Sequence, residues 1–106
     1  MKFLAIERDV PGVPDDAMRP RLRAEAAQAW RLHQAGIVRE LYFRADAPAA
    51  VLVLECADAA EAQRALQSLP LAREGLIAFE VLPLVAYPGF ARLFAEPLVG
   101  SGPEPE

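Results

Sequence analysis

Ala49-Ala50-Val51-Leu52-Val53-Leu54-Glu55-Cys56 is apolar on both of the faces that an extended chain would present. The run is short and rich in branched side chains, so it reads as a strand. A strand wet on one side carries a polar residue at every second position, and this one does not. Both of its faces therefore need cover. Helices can supply one layer. A second subunit's sheet is the economical cover for the other.

The neighbouring segments complete the pattern. Ile37 to Arg44 is rich in β-branched and aromatic residues and reads as another strand. Only Ala45-Asp46-Ala47-Pro48 separates the two, so they form an antiparallel hairpin. Lys2 to Arg8 is an earlier strand, stopped by Val10-Pro11-Gly12-Val13-Pro14. Leu76 to Leu82 is the last, with Pro83 and Pro88 bracketing its exit.

Two helices fit between the strands. The first is read from Pro20, a residue suited to a first helical turn, to about Ala35. Asp15 and Asp16 are read as its caps, and Gly36 occupies the position after its end. Leu22, Ala26, Ala29, Trp30 and His33 fall on one side of it and predict the face turned to the sheet. The second starts at Asp58 as cap, carries Ala62, Ala65, Leu66 and Leu69 on one side, and ends at Pro70. A loop through Arg73, Glu74 and Gly75 follows.

The order is strand–helix–strand–strand–helix–strand. That is an α+β chain of ferredoxin-like topology: a four-stranded antiparallel sheet with two helices on one face. A single domain over 1–98 is expected, with a C-terminal extension from about 87 and a disordered tail over 99–106. Phe90, Leu93, Phe94 and Leu98 form an apolar patch on the extension, which is expected to pack on a neighbouring subunit.

Composition limits the function. The 106 residues are 54% hydrophobic, which favours a homo-oligomer, a dimer or larger. A net charge of −4 argues against a nucleic-acid partner. No apolar run approaches the roughly 18 residues of a membrane span, and charges at Glu7, Arg8 and Asp9 cut short the apolar start. A cytoplasmic protein without a membrane partner is expected. Cys56 is the single cysteine and His33 the single histidine, far apart, so no metal-ligand spacing exists. No phosphate loop and no nicotinamide, flavin or haem signature is present. The enzymatic option is cofactor-free acid–base chemistry.

Several blocks of the chain resemble one family. Gln34-Ala35-Gly36 with Arg39 and Leu41, then Leu66 to Leu71 (LQSLPL), then Phe79-Glu80-Val81-Leu82-Pro83-Leu84 followed by Pro88, are similar to the muconolactone Δ-isomerase-like group of the dimeric α+β barrel superfamily. The resemblance is clearest from Leu32 to Pro88. One position departs: Tyr87 stands where the family's isomerases usually carry a histidine. The resemblance implies a dimeric barrel and a 1,3-proton shift on a small unsaturated lactone or acid from aromatic catabolism. Such a shift needs a base, an acid and a cation for the substrate's carboxylate.

The candidates follow from these needs. His33 is either a core histidine bonded to a backbone carbonyl or a proton carrier, since imidazole ordinarily titrates near neutral pH. Arg39 pairs either with a carboxylate of Glu55, Glu80 or Glu7, or with that of a small anionic, aromatic-derived ligand. Glu7, Glu55 and Glu80 sit in strands among apolar residues, where a half-buried carboxylate holds its proton more tightly. Glu80 also matches the family pattern. Tyr42 belongs to the interface or lines the pocket, and Trp30 belongs to the core or a pocket wall. The reading assigns His33, Glu80 and Glu7 to catalysis and Arg39, Tyr42 and Trp30 to substrate binding. Two alternatives share the scaffold: a cofactor-free monooxygenase of aromatic polyketides, and a non-catalytic small-molecule-binding or structural dimer.

Overall fold

The computed structural model describes residues 1–95; Leu98 and the 99–106 tail lie outside them. Strands β1 (Lys2–Asp9), β2 (Val38–Phe43), β3 (Ala50–Glu55) and β4 (Ile77–Leu84) form one sheet in the order β2-β3-β1-β4. Every pairing is antiparallel. Helices α1 (Leu22–Gln34) and α2 (Ala59–Gln67) are the two crossovers. This is the ferredoxin-like α+β arrangement anticipated above.

One face of the sheet meets the helices. Phe3, Ala5, Leu52, Leu54 and Val38 stand on it almost without exposure. Against them pack Ala62, Ala65, Leu66 and Leu69, the face read for the second helix. Asp58 caps α2 as read, its side chain accepting from the Glu61 N–H at 2.8 Å. Gly36 has φ of 78°, the left-handed value that closes α1 after Ala35.

The opposite face carries Leu4, Ile6, Val51, Val53, Leu82 and Leu84, in register across β3, β1 and β4. All six are partly or largely exposed in the single chain. This is the second apolar face expected of the strands.

Four local readings change. Pro70 ends α2 but also begins a short buried helix, α3 (Pro70–Arg73), where a loop was expected. Proline fits both roles because it needs no N–H at a first helical position. β4 runs on through Pro83, which an edge strand tolerates. Asp15 and Asp16 cap nothing, since a 3-10 turn over Arg19–Arg21 precedes α1 and Arg21 is its N-cap without a side-chain bond. The buried line of α1 is also rotated from the predicted stripe: Leu32 is its one buried residue, while Leu22 is 52% and Trp30 60% exposed.

The chain beyond Leu84 turns into a 3-10 segment, Pro88–Leu93. Tyr87 and Phe90 meet edge to face, with ring centroids 5.0 Å apart. Gly89 is buried under the Tyr87 ring; a Cβ there would fall 2.1 Å from it. Val85, Tyr87, Phe90, Leu93 and Phe94 are all exposed.

Candidate active site

The rotation of α1 creates the site. Helix α1 leans toward α2 and α3, tied by polar contacts: Gln28 Nε2 donates to Ser68 Oγ at 2.9 Å, and Glu25 Oε1 accepts from the Leu71 N–H at 2.9 Å. On its other side the helix offers Leu22, Ala26 and Ala29 to the sheet. Alanines are too short to fill that gap. A cleft of about 440 Å³ remains between the helix and the β2 side of the sheet. Its walls are largely apolar and include Leu41, Phe43, Leu52 and Phe79.

Two half-buried carboxylates, Glu7 and Glu25, line this cleft, and exposed Asp15 is a third. Glu7 follows Phe3 and Ala5 on the helix-facing side of β1, by strand alternation. It accepts a hydrogen bond from the Ala50 N–H at 2.9 Å. Burial raises its pKa above the usual carboxylate range; the Ala50 bond opposes this and the charge of Asp9 adds to it. Glu25 lines the cleft from α1. Its pKa is also raised, first by burial and further by the charge of Glu7, against the Leu71 N–H and Arg73. The sequence reading missed Glu25. The signal that could have found it is an acid one helical turn below Ala29, close to the predicted stripe.

His33 lies at the open end of the same region. With Trp30 it lines a shallower groove whose walls Ala26, Ala29 and Leu41 also belong to the cleft. His33 is exposed, not core. Its Nδ1 lies 3.0 Å from the Val38 carbonyl, the backbone bond anticipated for it. A carbonyl only accepts, so neutral His33 carries its proton on Nδ1 and leaves Nε2 bare. The Trp30 and His33 ring centroids are 5.6 Å apart.

The other candidates lie elsewhere. The pairing of β2 with β3 slips between Val38 and Glu40, and Arg39 is the residue left out of the ladder. The bulge carries Arg39 to an exposed position, where its Nε donates to the Gly36 carbonyl at 2.6 Å. No carboxylate partner is needed there. Glu80 is on the open sheet face, exposed, and ion-paired with Arg8. Glu55 occupies that face too and binds the Met1 amine at 2.5 Å, which lowers its pKa. Tyr42 is 56% exposed, and its hydroxyl donates to Glu40 at 2.7 Å. Glu40 and Tyr42 point away from Leu41, by strand alternation. Cys56 is buried, and burial pushes its thiol pKa up, away from nucleophilic use. Among the described residues, no helix is long and apolar enough to cross a membrane.

A four-stranded antiparallel sheet with helices on one face places an acid-lined, largely apolar cleft between the layers of a ferredoxin-like α+β scaffold. The chain belongs to the muconolactone delta-isomerase family, whose model matches residues 1–89. Among solved structures, muconolactone isomerase at 3.3 Å resolution is similar: 25% identity over 83% of this chain and 92% of that one, with a TM-score of 0.65. The 5-chloro-2-hydroxyhydroquinone dehydrochlorinase of Burkholderia phenoliruptrix AC1100, solved with 2,5-dihydroxybenzoquinone, shares the fold at 20% identity, covering 80% of this chain and 94% of that one, with a TM-score of 0.60. No curated protein matches the chain.

Proposed function

We propose that this chain is a cofactor-independent enzyme of the isomerase type, which moves a proton on a small unsaturated lactone or carboxylic acid. The observation that carries the reading is Glu7, a half-buried carboxylate with raised proton affinity inside an apolar cleft. A base with a raised pKa is matched to proton transfer nearer neutral pH than an ordinary carboxylate is. Membership of the muconolactone delta-isomerase family supports the same class of reaction.

The step balances without a co-reactant. Ionised Glu7 takes a proton from a carbon activated by the conjugated carbonyl. That C–H bond breaks, and its electrons spread over a dienolate. Glu7, now protonated, returns the proton to the other end of the conjugated system. The double bond has then moved, and the carboxylate is regenerated. Bare Nε2 of His33 is a second proton acceptor at the groove end. Trp30 and Leu41 supply a flat apolar wall beside it. Glu80, Arg39 and Tyr42, which are outside the cleft, have supporting roles only at a subunit contact.

The working form is proposed to be a homo-oligomer. The six apolar residues of the open face are a match for a second sheet, framed by Arg8, Glu80, Lys2 and Glu55 as a charged rim.

The deciding assay is muconolactone turnover, followed by absorbance, for wild type and Glu7→Gln. Turnover by the wild type and its loss in the variant support the reading. Absence of turnover with every unsaturated lactone acid tried removes it.

A further inference from the structure

A proton shift on a lactone acid leaves a carboxylate to be held, and Arg39 is not in the cleft. The cleft has a cation of its own. Arg19 sits on the 3-10 turn before α1 and lines the mouth beside Asp15, Met18 and Leu22. Among the described residues it is the one basic residue in the lining. None of the ion pairs among the described residues uses it. Its neighbour Arg21 is committed: the Nε donates to Glu74 at 2.7 Å and an Nη to the Ala17 carbonyl at 2.7 Å.

We propose that Arg19 anchors the anionic group of the ligand in this cleft. The substrate class rests on the reading of the cleft as a small-molecule site. The anchor itself does not require turnover. Charge placement fixes the orientation. Glu7 and Glu25 are half-buried in the lining, where Arg19 is exposed, and they repel a second anionic group there. Arg19 at the mouth offers a planar guanidinium suited to two-point binding of a carboxylate. A monoanion therefore enters with its carboxylate outward and its unsaturated carbons toward Glu7. Asp15, exposed in the same lining, repels an anionic group that Arg19 does not hold.

The test is calorimetric binding of three probes to the full chain: muconolactone, its methyl ester, and the unsaturated monocarboxylate sorbate. Arg19→Ala should weaken both acids about 10- to 100-fold, the size of one charge-assisted contact, and leave the ester unchanged. Arg39→Ala should bind all three like wild type. Arg19→Lys keeps the charge and loses the fork, so it should recover part of the acid affinity. Circular dichroism checks that the variants keep their fold, which an exposed turn residue permits. Acid binding unchanged in Arg19→Ala overturns the anchor, as does equal loss of acid and ester, or a wild type that binds neither acid. Acid binding that depends on Arg19 in a protein that turns over no lactone keeps the anchor and defeats the isomerase reading.

Discussion

Glu7 and Glu25 face one cleft from opposite layers, one carried by the sheet and one by α1, and each holds a carboxylate oxygen 2.9 Å from a backbone N–H. Glu7 thereby pins the start of β3 at Ala50. Glu25 supplies the cap that α3 lacks, since Leu69 has no side-chain bond to give. Both groups are raised in pKa chiefly by burial, and Glu25 further by Glu7. Two acids so placed pin backbone N–H groups on both layers of the cleft.

Stability should fall with rising pH because of them. A carboxyl whose folded pKa lies above its unfolded value binds its proton more tightly in the folded state. The folded chain therefore holds more protons between the two values, and unfolding becomes easier as pH rises through that window. The window opens near the ordinary carboxylate value of 4.5 and closes above the raised folded values. Glu7→Gln keeps an acceptor for Ala50 and removes the charge. Thermal melts from pH 4 to 8 should show a smaller decline in Tm for this variant. A slope equal to that of wild type would falsify the assignment.

Turnover should separate the two acids. Glu7→Gln removes the proposed base and should slow the reaction about 10²- to 10⁴-fold. Glu25→Gln retains the acceptor for the Leu71 N–H, while Glu25→Ala loses it and should be about 1 kcal/mol less stable, as for other lost caps. Urea unfolding of the two Glu25 variants gives that difference directly. Equal stability of Glu25→Gln and Glu25→Ala would show that the bond to Leu71 contributes nothing.

The fold was legible because short apolar and β-branched runs alternate with helical stretches bounded by caps, glycines and prolines. The Asp58 cap and Gly36 each report a local physical demand that the structure meets, and the doubly apolar Val51–Leu54 run reports the two apolar faces of the sheet. The site was less legible, because it depends on which way α1 leans. The alanines at 26 and 29 are apolar, so they read as core, yet their small size is what leaves the cleft open. Arg39 read as a strand residue because a bulge has no sequence signature here, and one extra residue moved it out of the ladder. Glu7 was read as a half-buried carboxylate because it sits in a strand among apolar residues, and it is half-buried with a raised pKa. Arg19 and Glu25 were missed because charges near a helix start usually belong to solvent.

The open sheet face makes a prediction about assembly. Val53 lies beside Leu4, which also neighbours Leu82, so the three form the middle of that face. All are at least partly exposed in the single chain, so a charge at Val53 should spare the monomer fold. In a face-to-face dimer the same charge would be buried without a partner, a loss of several kcal/mol. Light scattering should find wild type as a dimer or larger and Val53→Glu shifted toward monomer at micromolar concentration. A wild type that is already monomeric sinks the shared-sheet arrangement.

The last prediction concerns the segment after Leu84. Phe90, Leu93 and Phe94 are 66%, 76% and 82% exposed, on a 3-10 turn that Tyr87 and buried Gly89 hold in shape. A short turn of this kind has no stability of its own, and among the described residues its large side chains stay mostly exposed. They are proposed to pack on a neighbouring subunit. Replacing all three by Ser leaves the core residues Phe3, Leu54 and Leu66 untouched. The variant's monomer should keep its secondary structure, so circular dichroism should match wild type. Its assembly should instead weaken: scattering at falling concentration should reveal smaller species well before wild type dissociates. Truncation after Pro88 should act in the same direction. If both variants assemble and melt like the full chain, the aromatic turn holds no subunit contact, and the open sheet face alone must account for the oligomer.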